Sequence, residues 1–243
     1  MSNSRFYIEE DLTLGAIVKL TENAAIHATR VLRLEVSDEI VLFNGDGFDY
    51  NCQLVSVKKS EVLAIVQSQQ SLNNESPLSI TLLQGISSGD RMDITIQKAV
   101  ELGVTRIIPI KTTRSVVKLK DDRAEKRLSH WQQVVIAACE QSGRSIVPTV
   151  AAPISLADWL FNHKISEALR ITLDPLATKQ LKNLKDLRSI ELLVGAEGGL
   201  TESEIAMSVA HRFVGVQLGG RILRTETAPL AAIAAMQTLW GDF

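Results

Sequence analysis

The sequence predicts an α/β protein in two parts, a small β-barrel followed by a larger domain whose mainly parallel sheet carries helices on both faces. Three observations carry that expectation. Short apolar runs separated by turn residues fill the start of the chain, a polar stretch interrupts it at 67–77, and strand and helix patterns then alternate to the end.

In the first part, strands fall at 16–20, 39–44, 48–57 and 61–67, and a helix near 22–33 covers one opening of the barrel. The turn Asn44-Gly45-Asp46-Gly47 and the turn Lys58-Lys59-Ser60 join the last three strands as a meander. Along 48–57 the alternation Phe48, Tyr50, Cys52, Leu54 shifts to Val55 and Val57, which predicts a β-bulge. The stretch from Gln67 to Pro77 has the composition of a linker. The barrel is therefore placed at 1–70, the linker at 71–77 and the second domain at 78–243.

In the second part, strand and helix patterns fall at 78–84, 91–102, 106–109, 124–141, 156–162 and 169–173, and two strand–turn–helix units close the chain. This alternation calls for parallel strands joined by helical crossovers. The last helix, 228–240, is apolar on nearly every side, and Ala231, Ala232, Ala234 and Ala235 let another element approach closely. That element belongs either to the core of the same subunit or to a second subunit.

The two closing turns carry residues suited to chemistry, and strand-end loops of open α/β sheets are where ligands sit. The first runs from Ile190 to Ile205 and contains Gly195, Glu197, Gly198 and Gly199. Its glycines allow a sharp turn and a close backbone approach to a ligand. Thr201 with Glu204 forms a capping box, so a helix starts there. The loop lacks both the Gly-Lys-Ser/Thr ending of a Walker A loop and the third glycine of a dinucleotide fingerprint. Glu197 would repel a pyrophosphate but tolerates a ribose hydroxyl or a cation. A phosphate-free nucleoside bearing positive charge fits these constraints, and S-adenosyl-L-methionine is such a molecule. The second turn places Arg221, Arg224 and Glu226 around Gly219 and Gly220, with Thr227 and Pro229 opening the last helix. Taken singly, the glycine turn is as readily a tight connection, and Arg224 with Glu226 is more often a solvated ion pair. The combination late in an α/β chain favours a site.

The segment from Leu218 to Ala228, with Gly195 to Gly199, resembles the signature of SPOUT methyltransferases of the RsmE type. Ile96 to Gly103, Ala138 to Arg144 and His27 to Arg33 also look like segments of that family. One departure is Ala196, where the family more usually has proline, which bears on loop rigidity. The resemblance implies methylation of N3 of a uridine in 16S ribosomal RNA, with S-adenosyl-L-methionine as donor. It also implies a PUA-like RNA-binding barrel, a C-terminal trefoil knot and a homodimer. Cofactor contacts are then expected from Leu173, Val194, Gly195, Glu197, Gly198, Gly199, Leu218, Gly219, Ile222 and Leu223.

Methyl transfer to nitrogen is an in-line displacement, so a protein must align the partners and stabilise charge on the base. The imide proton at N3 leaves, and negative charge spreads onto O2 and O4. Arg224 is the candidate hydrogen-bond donor to that anion. Glu226 either orients Arg224 or accepts the proton, the second role requiring a raised pKa.

Size and charge set the remaining bounds. A chain of 243 residues with 45% apolar composition suffices for one large or two small domains with real cores. No apolar run reaches a membrane span and the start lacks the regions of a signal peptide, so neither a membrane nor secretion is expected. Cys52 and Cys139 lack pairing or metal spacing, which suits reduced thiols in a cytoplasm, and no metal is expected. Net charge of −2 argues against a general nucleic-acid binder, DNA included. Yet 91–127 holds ten Lys or Arg against five Asp or Glu, among them Arg106, Lys111, Arg114, Lys118 and Lys120. That stripe is either a phosphate-facing surface, as in a ribosomal subunit, or an ordinary solvated face. The positions to test for RNA are Arg5, Arg30, Arg33, Lys58 and Lys59 in the barrel, and Arg91, Arg114 and Arg144 beyond it.

Two rival readings stand beside this one. Gly85-Ile86-Ser87-Ser88-Gly89 matches the nucleophile elbow of α/β-hydrolases, with Asp174 and His211 following in that fold's order. Against it, no His-Gly-Gly loop is present to build an oxyanion hole. The other rival is a non-catalytic RNA-binding or ribosome assembly factor with purely structural glycine loops.

Overall fold

The structure is a computed structural model that describes residues 4–58, 61–117, 121–163, 167–185 and 188–243. The chain divides into two compact units, Met1–Glu75 with Cys139–Val147, and Ser76–Ala138 with Pro148–Phe243.

The first unit is built on strands β1 Ser4–Tyr7, β2 Ile17–Lys19, β3 Glu39–Phe43, β4 Phe48–Lys58 and β5 Glu61–Ser71, with helix α1 Glu22–Ile26 after β2. The strand order is β1-β3-β4-β5-β2. β3, β4 and β5 form the expected meander, while β1 pairs with β3 in parallel and has no counterpart in the sequence reading. All five strands feed one core, from Phe6 and Val18 through Ile40, Leu42 and Leu54 to Ala64, as a barrel requires. Ala24, Ala25 and Ala28 of the helical segment close it. Thr21 caps α1 by accepting from Ala24 N at 3.3 Å, and the segment continues as a π-helical turn, His27–Val31. The register of β4 against β5 slips between Leu54 and Ser56, leaving Val55 unpaired and half-exposed, at the predicted bulge. A second slip at Asn51/Cys52 was not signalled by the alternation.

Two boundaries differ from the sequence reading. Residues 67–71, though of linker composition, continue β5 beyond the strand end expected at 67, because the far end of β4 pairs with them although their side chains face solvent. The segment Cys139–Val147 belongs to the first unit, where it satisfies buried polar groups. Ser145 donates to Asp49, and Arg5 donates to Asp49 and, at 3.0 Å, to Ser145 Oγ. Arg144 Nε donates to Glu75 at 2.9 Å, and Glu140 accepts from Tyr7 N at 3.0 Å. Burial pushes the thiols of Cys52 and Cys139 up to about 11 and about 12, so neither is a nucleophile at neutral pH.

The second unit carries strands β6 Ser79–Gly85, β7 Arg106–Lys111, β8 Thr149–Val150, β9 Ile154–Ser155, β10 Leu169–Leu173, β11 Ser189–Val194 and β12 Val214–Val216. Its helices are α2 Asp90–Glu101, α3 Asp121–Ser142, α4 Leu156–Asn162, α5 Glu202–Ala210 and α6 Thr227–Trp240. Every strand pair is parallel, in the order β12-β10-β11-β6-β7-β8 with β9 also on β7. Leu83, Ile108 and Ile110 of the sheet pack with Trp159 and Leu160 of α4 and with Phe213, and Ile205 of α5 joins them. α2 packs on α6, where buried Gln237 donates to Leu102 O at 2.8 Å and accepts from Ser76 Oγ at 2.7 Å. The two-residue strands β8 and β9 are too short for a sequence pattern to reveal.

Candidate functional site

Loops leaving the carboxyl ends of the adjacent strands β10, β11 and β12 enclose a cavity of about 510 Å³, the place where parallel sheets bind ligands. Leu173 lines it from the first loop, Val194, Gly195, Glu197, Gly198 and Gly199 from the second, and Leu218, Gly219, Ile222 and Leu223 from the third. Arg224 and Asp174 also line it, as do Gln217 and Thr225, which the sequence did not single out for the pocket.

The second loop is shaped by close backbone packing. A Cβ on Gly195 would lie 2.7 Å from the Gly199 carbonyl carbon, and Gly199 has φ +67° with its N–H donating to Ala196 O at 2.9 Å. Gly85, at the end of β6, presses against the same loop: a Cβ there would meet Ala196 N and come within 2.6 Å of the Gly195 carbonyl carbon. Arg114 donates to Gly198 O at 3.0 Å and Leu200 O at 3.3 Å. These contacts supply rigidity that alanine at 196, lacking proline's ring, does not. Backbone cannot step aside as a flexible side chain can, so Gly85→Ala is expected to cost about 1–3 kcal/mol of stability. It should also weaken cofactor binding by at least about tenfold, equivalent to roughly 1.4 kcal/mol; calorimetry and denaturant unfolding read the two effects.

The capping box at Thr201 is present as expected, with Glu204 N donating to Thr201 Oγ1 at 3.2 Å and Thr201 N to Glu204 Oε2 at 2.8 Å. Glu204 Oε1 additionally accepts from Thr113 N at 2.8 Å. Burial alone would raise this carboxyl's pKa, but the hydrogen bonds from Thr201 and Thr113 outweigh it and hold the value low. A carboxyl depressed in the folded state stabilises above its ordinary unfolded value, and that contribution disappears as pH falls through the folded value. Glu204→Gln should therefore be less stable than the parent at pH 7, with the gap narrowing steadily under acid titration. A gap that is the same at pH 7 and pH 3 would contradict this.

Glu197 does not stand open in the loop. Its Oε1 accepts from Ser88 N and Ser88 Oγ, both at 2.7 Å, and from Arg91 at 3.2 Å. Burial raises its pKa, yet the Ser88 and Arg91 hydrogen bonds prevail and hold the carboxyl below its usual value. Glu226 has Arg91 Nε at 3.9 Å, and its buried Oε2 has no hydrogen-bond partner among the described residues. No ion pair joins Glu226 to Arg224, which is exposed. The carboxylate is thus faced by Arg91, a residue whose place in the site no sequence motif announces. An orientation of Arg224 by Glu226, one of the two roles considered, is not what the structure displays.

The cavity suits S-adenosylmethionine by chemistry as well as size. Its walls join apolar side chains, including Ile222 and Leu176 at 86% and 89% exposure, to backbone groups of glycine turns. Such a slot takes a flat apolar base with a few hydrogen bonds. The lining carries charges of both signs, Asp174, Glu197 and Glu202 beside Arg114, Arg221 and Arg224.

The hydrolase constellation is not assembled. The buried Ser87 hydroxyl faces Met92 Sδ at 4.0 Å, His211 Nδ1 pairs with Met207 O at 2.9 Å, and Asp174 accepts from Leu176 N at 2.9 Å.

The residues expected at RNA have divided fates. Arg30, Arg33 and Lys58 are exposed in the first unit, whereas Lys59 lies outside the described residues, as do Lys118 and Lys120 of the basic stripe. Arg5 and Arg144 are corrected. Arg144 is buried and Arg5 half-buried, in ion pairs with Glu75 and Asp49, carboxylates distant in sequence that draw these cations away from the surface. Arg91 and Arg114 are engaged at the cofactor loop. Among the described residues no cluster of ligands could hold a metal, and no helix is long and apolar enough to cross a membrane.

Comparison with known proteins agrees with this geometry. A family described as RNA methyltransferase domain matches residues 74–237, and one described as RNA methyltransferase PUA domain matches 20–67. Ribosomal RNA small subunit methyltransferase E of Buchnera aphidicola is 33% identical over 98% of this chain and 94% of its own. The crystal structure of ribosomal RNA small subunit methyltransferase E from Neisseria gonorrhoeae bound to S-adenosylmethionine superposes with a TM-score of 0.93 at 46% identity, covering all of both chains. A Legionella pneumophila methyltransferase in complex with S-adenosylmethionine superposes with a TM-score of 0.96 at 34% identity, again over all of both chains. The chain therefore belongs to the RNA methyltransferase family of the RsmE type, with a PUA-like barrel ahead of a SPOUT-type α/β domain.

Proposed function

We propose that this protein transfers a methyl group from S-adenosylmethionine to N3 of a uridine in 16S ribosomal RNA of the small ribosomal subunit. The observation that carries the reading is the three-loop cavity at the ends of β10, β11 and β12, in a chain nearly half identical to a relative crystallised with S-adenosylmethionine.

When bound, S-adenosylmethionine supplies the methyl group and the positive charge of its sulfonium. The protein's own residues do the rest. The glycine turns and the apolar walls position one partner, and Glu197 presents negative charge to it. Arg224, exposed on the third loop, donates hydrogen bonds to O2 or O4 of the uracil as negative charge develops there. Glu226 Oε2, which has no hydrogen-bond donor among the described residues, accepts the N3 proton. The barrel meets RNA through its exposed cations Arg30, Arg33 and Lys58, phosphate contacts that fix register without reading sequence.

With this reading go a cytoplasmic location, a homodimer and a trefoil knot formed by the C-terminal segment. The knot is expected from the chain's likeness to the SPOUT methyltransferases. Calorimetry should give micromolar affinity for S-adenosylmethionine, and 16S ribosomal RNA from cells lacking the protein should miss one N3-methylated uridine. An assembly factor without catalysis would show neither, and native mass spectrometry that finds only monomer would remove the dimer.

A further inference from the structure

Arg91 sits where its charge is least at home. It occupies the first turn of α2, beside Asp90 and Asp93, and the positive end of a helix dipole disfavours a cation there. What holds it are two carboxylates from different loops. Arg91 Nη1 lies 3.2 Å from Glu197 Oε1 and 3.3 Å from Ser88 Oγ, and Arg91 Nε lies 3.9 Å from Glu226 Oε2. A planar guanidinium offers donors along separate edges, so one side chain can address both carboxylates at once, which an ammonium cannot do in fixed geometry.

The two carboxylates have different duties. Glu197 belongs to the loop that lines the cofactor cavity, and Glu226 to the turn that opens α6, directly after Arg224 and Thr225 of the lining. Glu226 Oε2 is buried with no hydrogen bond, so its direction is not fixed by any donor among the described residues. The one cation recorded within ion-pair distance of it among those residues is Arg91.

We infer that Arg91 is a positioning residue for methyl transfer. Its guanidinium, hydrogen-bonded to Glu197 and Ser88 and 3.9 Å from Glu226 Oε2, sets the place of the Glu226 carboxylate relative to the cofactor loop by charge, without a hydrogen bond to Oε2, so that this oxygen can still take the proton from N3. The inference rests on the proposed reaction and gives Arg91 a role through Glu226, not through RNA phosphates.

The test is a mutant cycle on methyl transfer to small-subunit ribosomal RNA at saturating S-adenosylmethionine, with the parent, R91M, R91K, E226Q and the double variant R91M/E226Q. E226Q should lower kcat by about 10²-fold or more. R91M should lower kcat by up to about 10²-fold, as expected for a misplaced reacting group, with KM for RNA nearly unchanged. R91K, a cation that addresses one carboxylate well, should fall between R91M and the parent. The decisive arm is the double variant: if Arg91 works through Glu226, it should be within about threefold of E226Q alone, since residues acting as a unit are not additive. Full additivity, or a loss confined to KM for RNA, overturns the inference and leaves the reaction standing. No methyl transfer by the parent protein overturns the proposed reaction, and this role with it.

Discussion

The Arg224→Ala variant is expected to transfer methyl groups about 10²–10³ times more slowly than the parent, the loss typical of removing one donor to a developing anion. Its affinity for S-adenosylmethionine should be almost unchanged. The separation follows from placement: Arg224 is exposed at the cavity and shapes the turn only through its backbone carbonyl, which accepts from Thr227 N at 3.0 Å and Ala228 N at 2.9 Å. Alanine keeps that carbonyl. Single-turnover rates alongside calorimetry would distinguish the two quantities. A rate within threefold of the parent would remove Arg224 from the chemistry, and a large drop in cofactor affinity would move it to cofactor binding.

A second large effect is expected deep in the sheet. Arg170 on β10 and Glu191 on β11 stand opposite each other in register and pair at 2.6 Å, with Arg170 Nη1 also donating to His211 O at 3.1 Å. Arg170 is 2% exposed and lies over the rings of Trp159 and Phe213, at 5.6 and 5.5 Å. Arg170→Ala breaks this buried ion pair and removes the guanidinium from over both rings, and should cost about 3–5 kcal/mol in unfolding free energy. Replacing both members with apolar residues of similar volume, as in Arg170→Met with Glu191→Leu, should recover most of that, because both charges leave the interior together. Denaturant unfolding measures each variant; a loss below about 1 kcal/mol for the single change would show that the pair adds little to stability. Since β10 and β11 both end in cavity loops, the site depends on this pair at one remove.

What was legible in the sequence is what depends on near neighbours. The capping box of Thr201 and Glu204 involves residues three apart, and the bulge at Val55 shows as a slip in a period of two. The loops around Gly195 and Gly219 are legible for the same reason, because positive φ and close packing leave glycine as the residue that fits. Partnerships across distance were not legible. Arg5 and Arg144 look like surface cations until Asp49 and Glu75, 44 and 69 residues away, are folded onto them. Glu197 looks like an open carboxylate until Ser88 and Arg91, more than a hundred residues earlier, take one of its oxygens. β1 escaped because four residues are too few for a periodic signal, and its partner strand lies over thirty positions on.

The recruitment of Cys139–Val147 into the first unit has a bearing on how the protein matures as it is synthesised. The opening seventy-odd residues emerge with Asp49 and Glu75 still lacking Ser145 and Arg144, so the barrel must wait, incompletely satisfied, while half of the following domain is translated. A fragment cut at residue 75 would keep the Arg5–Asp49 pair but lose Ser145 from Asp49 and Arg144 from Glu75, making the chain's midpoint a folding component of its beginning.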